Sequence, residues 1–176
     1  KKILETFQLN EETEGEAAEP NFDTINQLHP EDINLFFGDP EDGRTGQLTG
    51  KDGQEIQFLH YQYSNYSFTF CNGELIGVYV QPGGAIFPNF DTITASKAVA
   101  ILKKYGVNVT ENVEISSTFR KLSDGSFWQS VHLVSLNGVN DQIESVELQE
   151  NAFRVIYDSE MFDVIEEAYL QTLENG

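Results

Sequence analysis

The dipeptide Asn72-Gly73 constrains this chain more than any other feature, because it separates two runs of strand length, Tyr66–Cys71 and Glu74–Gln81. A two-residue connection of type I′ needs positive φ at both turn positions. Asn and Gly tolerate that best, so the segment is predicted to be a tight antiparallel hairpin. In the first run Tyr66, Phe68 and Phe70 alternate with Ser67 and Thr69, the pattern of a sheet with one apolar face. Glu55–Tyr63 precedes it across a second turn signal, Ser64-Asn65, and a short strand near Gln47–Thr49 sits among the glycines of 38–53.

The rest of the chain repeats this plan. Asn21–Phe37 holds two short helical pieces, the second opened by Pro30 with Glu31 and Asp32 in its first turn. The loop Pro82–Pro88 ends the first half. Asp91-Thr92 offers a cap for a helix running to Tyr105 and stopped by Gly106, with Ala95, Ala98, Val99 and Leu102 as its apolar stripe. Four strands follow, Val113–Lys121, Phe127–Leu136, Ile143–Gln149 and Phe153–Asp158, turning at Ser123-Asp124-Gly125, Asn137-Gly138 and Glu150-Asn151. A final helix, Ser159–Leu173, is expected to bury Phe162, Ile165, Tyr169 and Leu173. The expected class is α+β: roughly 7–8 antiparallel strands in two helix-then-meander halves, with helices on one side and a C-terminal helix. The divisions are an acidic arm (1–20), a first half (21–88) and a second half (89–176), packed as one unit.

Charge narrows the functions. The 176 residues carry 29 acidic and 10 basic side chains, a net of −19. Residues 1–60 hold 14 acidic and 4 basic groups, residues 61–120 hold 4 of each, and residues 121–176 hold 11 and 2. Direct phosphate binding needs clustered Lys and Arg, so nucleic acid and anionic membrane surfaces are disfavoured partners. Plain solubility, a basic protein partner or a cation are the readings the acidity leaves open, and a solvated acidic exterior is the first of them. The single cysteine, Cys71, excludes an internal disulfide and a cysteine zinc site. With no Met at position 1, a tag, signal peptide or membrane anchor is expected ahead of Lys1, which leans the assignment toward an extracytoplasmic or membrane-anchored bacterial protein.

No motif for catalysis, cofactor or metal emerges. There is no glycine-rich phosphate loop, and His29, His60 and His132 lack ligand spacing. Asp39-Pro40-Glu41-Asp42-Gly43 lacks the alternating carboxylates of a calcium loop. Cys71 with His60 on the neighbouring strand is the one conceivable nucleophile pair, and a small buried strand residue is the competing role for that cysteine. The chain is therefore read as a non-enzymatic binding protein without cofactor or metal. Its candidate partner-binding residues are Tyr61, Tyr63 and Tyr79 on the aromatic middle strands, Ile86 and Phe87 on the Pro82–Pro88 loop, Trp128 and His132 on Phe127–Leu136, and Glu144 as a carboxylate at the rim. Alternation along Phe127–Leu136 permits two facings, with Trp128 and His132 outward or with Trp128, Val134 and Leu136 inward.

The order of helices and four-strand meanders, given twice, resembles the tandem architecture of the β-lactamase inhibitory protein family. That resemblance implies an aromatic sheet presented to a target enzyme, although Cys71 alone cannot supply that family's disulfides. Small, acidic bacterial immunity proteins are similar in their way of working. Together these imply a protein that neutralises a toxin or enzyme by occluding it. The alternatives are an acidic nucleic-acid mimic of the anti-restriction or anti-CRISPR type, using Glu160, Asp163, Glu166, Glu167 and Glu174, or an extracytoplasmic lipoprotein or sensory domain.

Overall fold

The computed structural model of the chain describes residues 7–8, 19–50 and 53–175. Two short strands, β1 (Phe7–Gln8) and β2 (Glu19–Pro20), pair antiparallel. The acidic arm expected over 1–20 otherwise lies outside the described residues. A 3-10 turn (Ile25–Gln27) and helix α1 (Pro30–Phe37) lead into four strands, β3 (Asp42–Thr49), β4 (Glu55–Gln62), β5 (Tyr66–Cys71) and β6 (Glu74–Val80). A second 3-10 turn (Phe90–Thr92) and helix α2 (Ala95–Lys104) precede β7 (Glu114–Lys121), β8 (Phe127–Val134), β9 (Ser145–Gln149) and β10 (Ala152–Ile156). Helix α3 (Ser159–Asn175) ends the described chain.

The eight longer strands form one antiparallel sheet in the order β3-β4-β5-β6-β10-β9-β8-β7. The fold is α+β, as expected. Each meander places its fourth strand at the centre, so the order reads alike from both edges and the two halves share one sheet. Asn72 and Gly73 both have positive φ (53° and 84°), as the hairpin requires. The Asn72 side-chain oxygen also accepts from the Gln57 amide at 2.9 Å, tying the turn to β4. Between Thr69 and Phe70 the β5–β6 register skips a residue. This bulge places Ile76 on the same face as Gly77, in the second cluster, while Leu75 and Val78 both reach the main core.

Two adjacent rungs define the faces. Gly43, Tyr61, Phe68, Val78, Val155, Val146, Leu133 and Ile115 stand opposite one another across all eight strands. Their face carries the main core and is covered by Phe22, Ile25, Leu28, Ile33, Ala98 and Leu102. The next rung, on the other face, is polar throughout. Helix α3 crosses that second face, opposite α1 and α2, on a smaller cluster of Ile56, Cys71, Ile76, Ile156 and Phe162.

Several local expectations are corrected. Helix α2 is capped by Thr94, whose hydroxyl accepts from the Lys97 amide at 3.3 Å, and not by Asp91-Thr92, which belong to the preceding 3-10 turn. Ile86 and Phe87 are not exposed anchors: Phe87 is fully buried, Ile86 nearly so, and both amides donate to the Glu150 carbonyl at 3.2 and 3.0 Å. Positive φ at Gly83 and Gly84 turns the loop inward. Burying each large apolar side chain then gains roughly 1.5–3 kcal/mol. Tyr63 is buried too, its hydroxyl donating to the Gly38 carbonyl (2.8 Å) with Asn34 Oδ1 3.1 Å away, so it holds the end of α1. Strand β8 stops at Val134, leaving Leu136 exposed in the 135–144 loop where one sequence reading placed it inside. Among the described residues no helix is long and apolar enough to cross a membrane.

Because Phe87 fills the core, Phe87→Ala should lower the unfolding free energy by about 3–5 kcal/mol. Urea denaturation monitored by circular dichroism measures this directly. A loss below about 1 kcal/mol, within the range of an ordinary surface change, would contradict the burial.

Candidate functional site

The polar rung runs Asp42, Gln62, Ser67, Tyr79, Arg154, Glu147, His132 and Ser116, one residue from each strand. Alternation alone puts these side chains on the face opposite the main core. All of the buried polar residues described, Ser67, Thr69, Ser130, Ser145 and Glu147, lie on this same face. A sheet face lined with hydroxyls, imidazoles and charges is costly to cover unless its groups are paired.

Arg154 and Glu147 are the central pair. Arg154 Nη1 donates to Glu147 Oε1 at 3.0 Å, and the Glu147 side chain is only 6% exposed. The guanidinium carbon lies 4.9 Å from the ring centres of both Tyr79 and Phe162, so the charge rests on one ring from the sheet and one from α3. Tyr79 donates to Gln149 Oε1 at 2.9 Å, which orients its ring. Farther along, Thr118 and Ser130 hydroxyls are 2.7 Å apart, and Arg120 Nη1 donates to Glu167 on α3 at 2.6 Å.

Burial pushes His132 below its ordinary value of 6.5, against the pull of Glu147 and Asp163, so the imidazole is neutral at pH 7. His60 is lowered chiefly by burial and then by Arg154, and its Nδ1 sits 3.0 Å from Thr69 Oγ1. Burial also raises the Glu166 carboxyl, and the neighbouring Glu147 and Asp163 raise it further. The Cys71 thiol is pushed up to about 12, first by burial and then by Asp158, so it is held protonated and is no activated nucleophile beside His60. Among the described residues no three His, Cys, Asp or Glu side chains come together as a metal site.

Beside α3 the polar face opens into a groove of about 860 Å³. Its floor is Ser116, Thr118, His132 and Ser145, and its walls carry Glu144, Asp163, Asp141, Phe162 and the 135–143 loop. No Lys or Arg is among the described lining residues. Glu144 accepts from the Ser159 amide and Asp158 from the Met161 amide, placing carboxylates at the N-terminus of α3 where the helix dipole favours them. Asn26 also lines the groove, with its amide oxygen buried and lacking a hydrogen-bond partner among the described residues. Leu136, 99% exposed, stands at the mouth.

The structure therefore brings together Tyr79, His132 and Trp128 on the polar face, with Glu144 at its rim. Trp128 packs on Tyr169 of α3 at 5.6 Å, and its indole N–H is buried without a partner among the described residues. Tyr61 belongs to the opposite face, edge-on to Phe70 at 6.0 Å, while Tyr63, Ile86 and Phe87 are interior. Sequence reasoning missed Arg154, Glu147 and Asp163, whose grouping depends on strand order. It also missed Phe119 and Phe127, each 67% exposed at the end of the β7–β8 hairpin, although their alternation with Arg120 and Trp128 is visible. The acidic row on α3 is not an open phosphate-like array, since Glu166 is partly buried and Glu167 is bound to Arg120.

The raised Glu166 carboxyl sets a pH dependence. Its contribution is fully present below its unfolded value near 4.5 and is lost as pH rises through the higher folded value. Glu166→Gln, neutral throughout, should therefore be more stable than the native chain at pH 7, with the difference shrinking toward pH 4.5. Urea midpoints at the two pH values test this, and a difference that widens on acidification would overturn it.

Compared with protein-family models, with curated proteins and with solved structures, the chain matches none.

Proposed function

We propose that this protein acts by binding another protein, in the manner of an immunity or inhibitor protein that occludes a toxin or enzyme with a basic surface. The observation that carries this reading is the groove beside α3. It is rich in acceptors, its described lining includes no Lys or Arg, and a fully exposed leucine stands at its mouth. Carboxylates and neutral hydroxyls around an apolar wall suit a Lys or Arg side chain, whose stem packs on Phe162 and Val134 while its head meets Asp163 and Glu144. The net charge of −19 adds attraction toward such a partner that is strongest at low salt.

Co-purification with the product of the adjacent gene supplies the partner to be tested. Affinity for that purified partner should fall as salt is raised. The double variant Glu144→Gln, Asp163→Asn should weaken it by up to about fivefold per carboxylate, the scale of an exposed ion pair. Leu136→Ala should weaken binding without altering its salt dependence. A complex indifferent to both salt and the double variant would remove the groove from the interface.

A further inference from the structure

Strand β7 is an outer strand of the sheet, and none of the described strands pairs with its far side. It is long for an edge that no described strand covers: its pairing with β8 runs unbroken from Glu114–Val134 to Lys121–Phe127, with no proline and no bulge. Ser117, Thr118 and Phe119 in its middle are exposed. The other edge, β3, is interrupted by Gly43 and Gly46 and presents no large exposed apolar group.

The direction of the free backbone groups follows from the hairpin turn. Leu122 donates its amide to the Ser126 carbonyl, so residue 122 points toward β8. Alternation then turns the amides and carbonyls of Ile115, Ser117, Phe119 and Lys121 outward. A second copy of β7, laid antiparallel about a twofold axis through Ser117, would pair Ser117 with itself and Ile115 with Phe119. Each of these pairs joins two outward-facing backbones and two side chains on the same face. On the other face the same register sets Ser116 opposite Thr118 and Glu114 opposite Arg120. Glu114 with Arg120 and Ile115 with Phe119 are therefore matched in this register. Sliding by two residues would bring Glu114 opposite Leu122 and lose the match.

We propose that two copies of this chain associate through β7, edge to edge, in the register centred on Ser117. The large negative charge does not oppose this locally, because residues 61–120 carry 4 acidic and 4 basic groups, and charges beyond about 8 Å are screened at physiological salt. Arg120 Nη1 donates to Glu167, and Glu114 of the second copy would stand opposite the same guanidinium. The twofold axis keeps like faces together, so the two grooves floored by Ser116 and Thr118 come side by side on one surface.

Sedimentation equilibrium across a dilution series tests the pairing on the full chain. The expected mass is twice 19.8 kDa at high concentration, falling toward 19.8 kDa on dilution. Ser117→Pro removes an outward amide without touching the β8 ladder, and should give the single-chain mass with an unchanged far-ultraviolet spectrum. Glu114→Arg, on an exposed position, should also give the single-chain mass. Arg120→Glu should do the same, and mixing it with Glu114→Arg should restore the doubled mass, since each contact is then again between opposite charges. A native chain that stays at 19.8 kDa at every concentration would overturn the proposal. So would a dimer that survives both Ser117→Pro and Glu114→Arg.

Discussion

The pairing of β6 with β10 is the contact on which the rest of the structure depends. Each meander is a four-strand unit with its own apolar face, and only this central ladder aligns the two. Opposite residues Val78 and Val155 join the apolar rung, while Tyr79 and Arg154 join the polar one. Because side chains alternate with period two, a one-residue slip would drive Arg154 onto the core face beside Phe68 and Val78 and lift Val155, with Val146 and Leu133, to the α3 side. An unpaired guanidinium in such a core costs several kcal/mol, so the register is strongly specified. The polar rung acts here as a specification of pairing as well as a surface.

Helix α3 follows from that rung. Near its start it packs on Ile56, Cys71, Ile76 and Ile156 and sets Phe162 on the Arg154 guanidinium, and farther along Tyr169 packs on Trp128. A buried ion pair is weak evidence of net stability, yet removing Arg154 would leave the Glu147 carboxylate enclosed and uncompensated. Around this pair stand Asp163 and Glu166, so negative groups outnumber the one guanidinium. Burial first, and then that surplus, raises Glu166, and the surplus gives the neighbouring groove its sign. It does not charge His132, because burial of the imidazole outweighs the pull of the carboxylates.

Local signals in the sequence carried most of the fold. Asn72-Gly73, Ser64-Asn65 and the alternation in Tyr66–Cys71 located hairpins whose observed strand ends differ by at most one residue. Properties set at long range were not legible. Whether Phe87 is an anchor or a core residue depends on the Glu150 carbonyl, more than sixty residues away in the chain and placed by the β9–β10 turn. The same holds for Tyr63, whose hydroxyl finds the end of α1. For β8, period two left the facing of Trp128 open until β9 fixed it by setting Glu147 opposite His132. Leu136 escaped because the strand ended two residues before it, and strand ends carry the weakest sequence signal.

The uneven charge along the chain acquires a spatial meaning in the sheet. The balanced stretch, residues 61–120, supplies β5, β6, α2 and β7, which are the centre of the sheet and one edge. The acidic final stretch supplies β9, β10, α3 and the loop carrying Asp141 and Glu144, which wall the groove. Neutral edge and negative groove therefore adjoin, sharing Ser116 and Thr118, whose side chains line the groove while their strand forms the edge. At about 8 Å of screening length, each surface is governed by the charges within its own few residues. The pull of the groove's own carboxylates on a basic partner is thus compatible with short-range matching along β7, although both arise on one strongly acidic molecule.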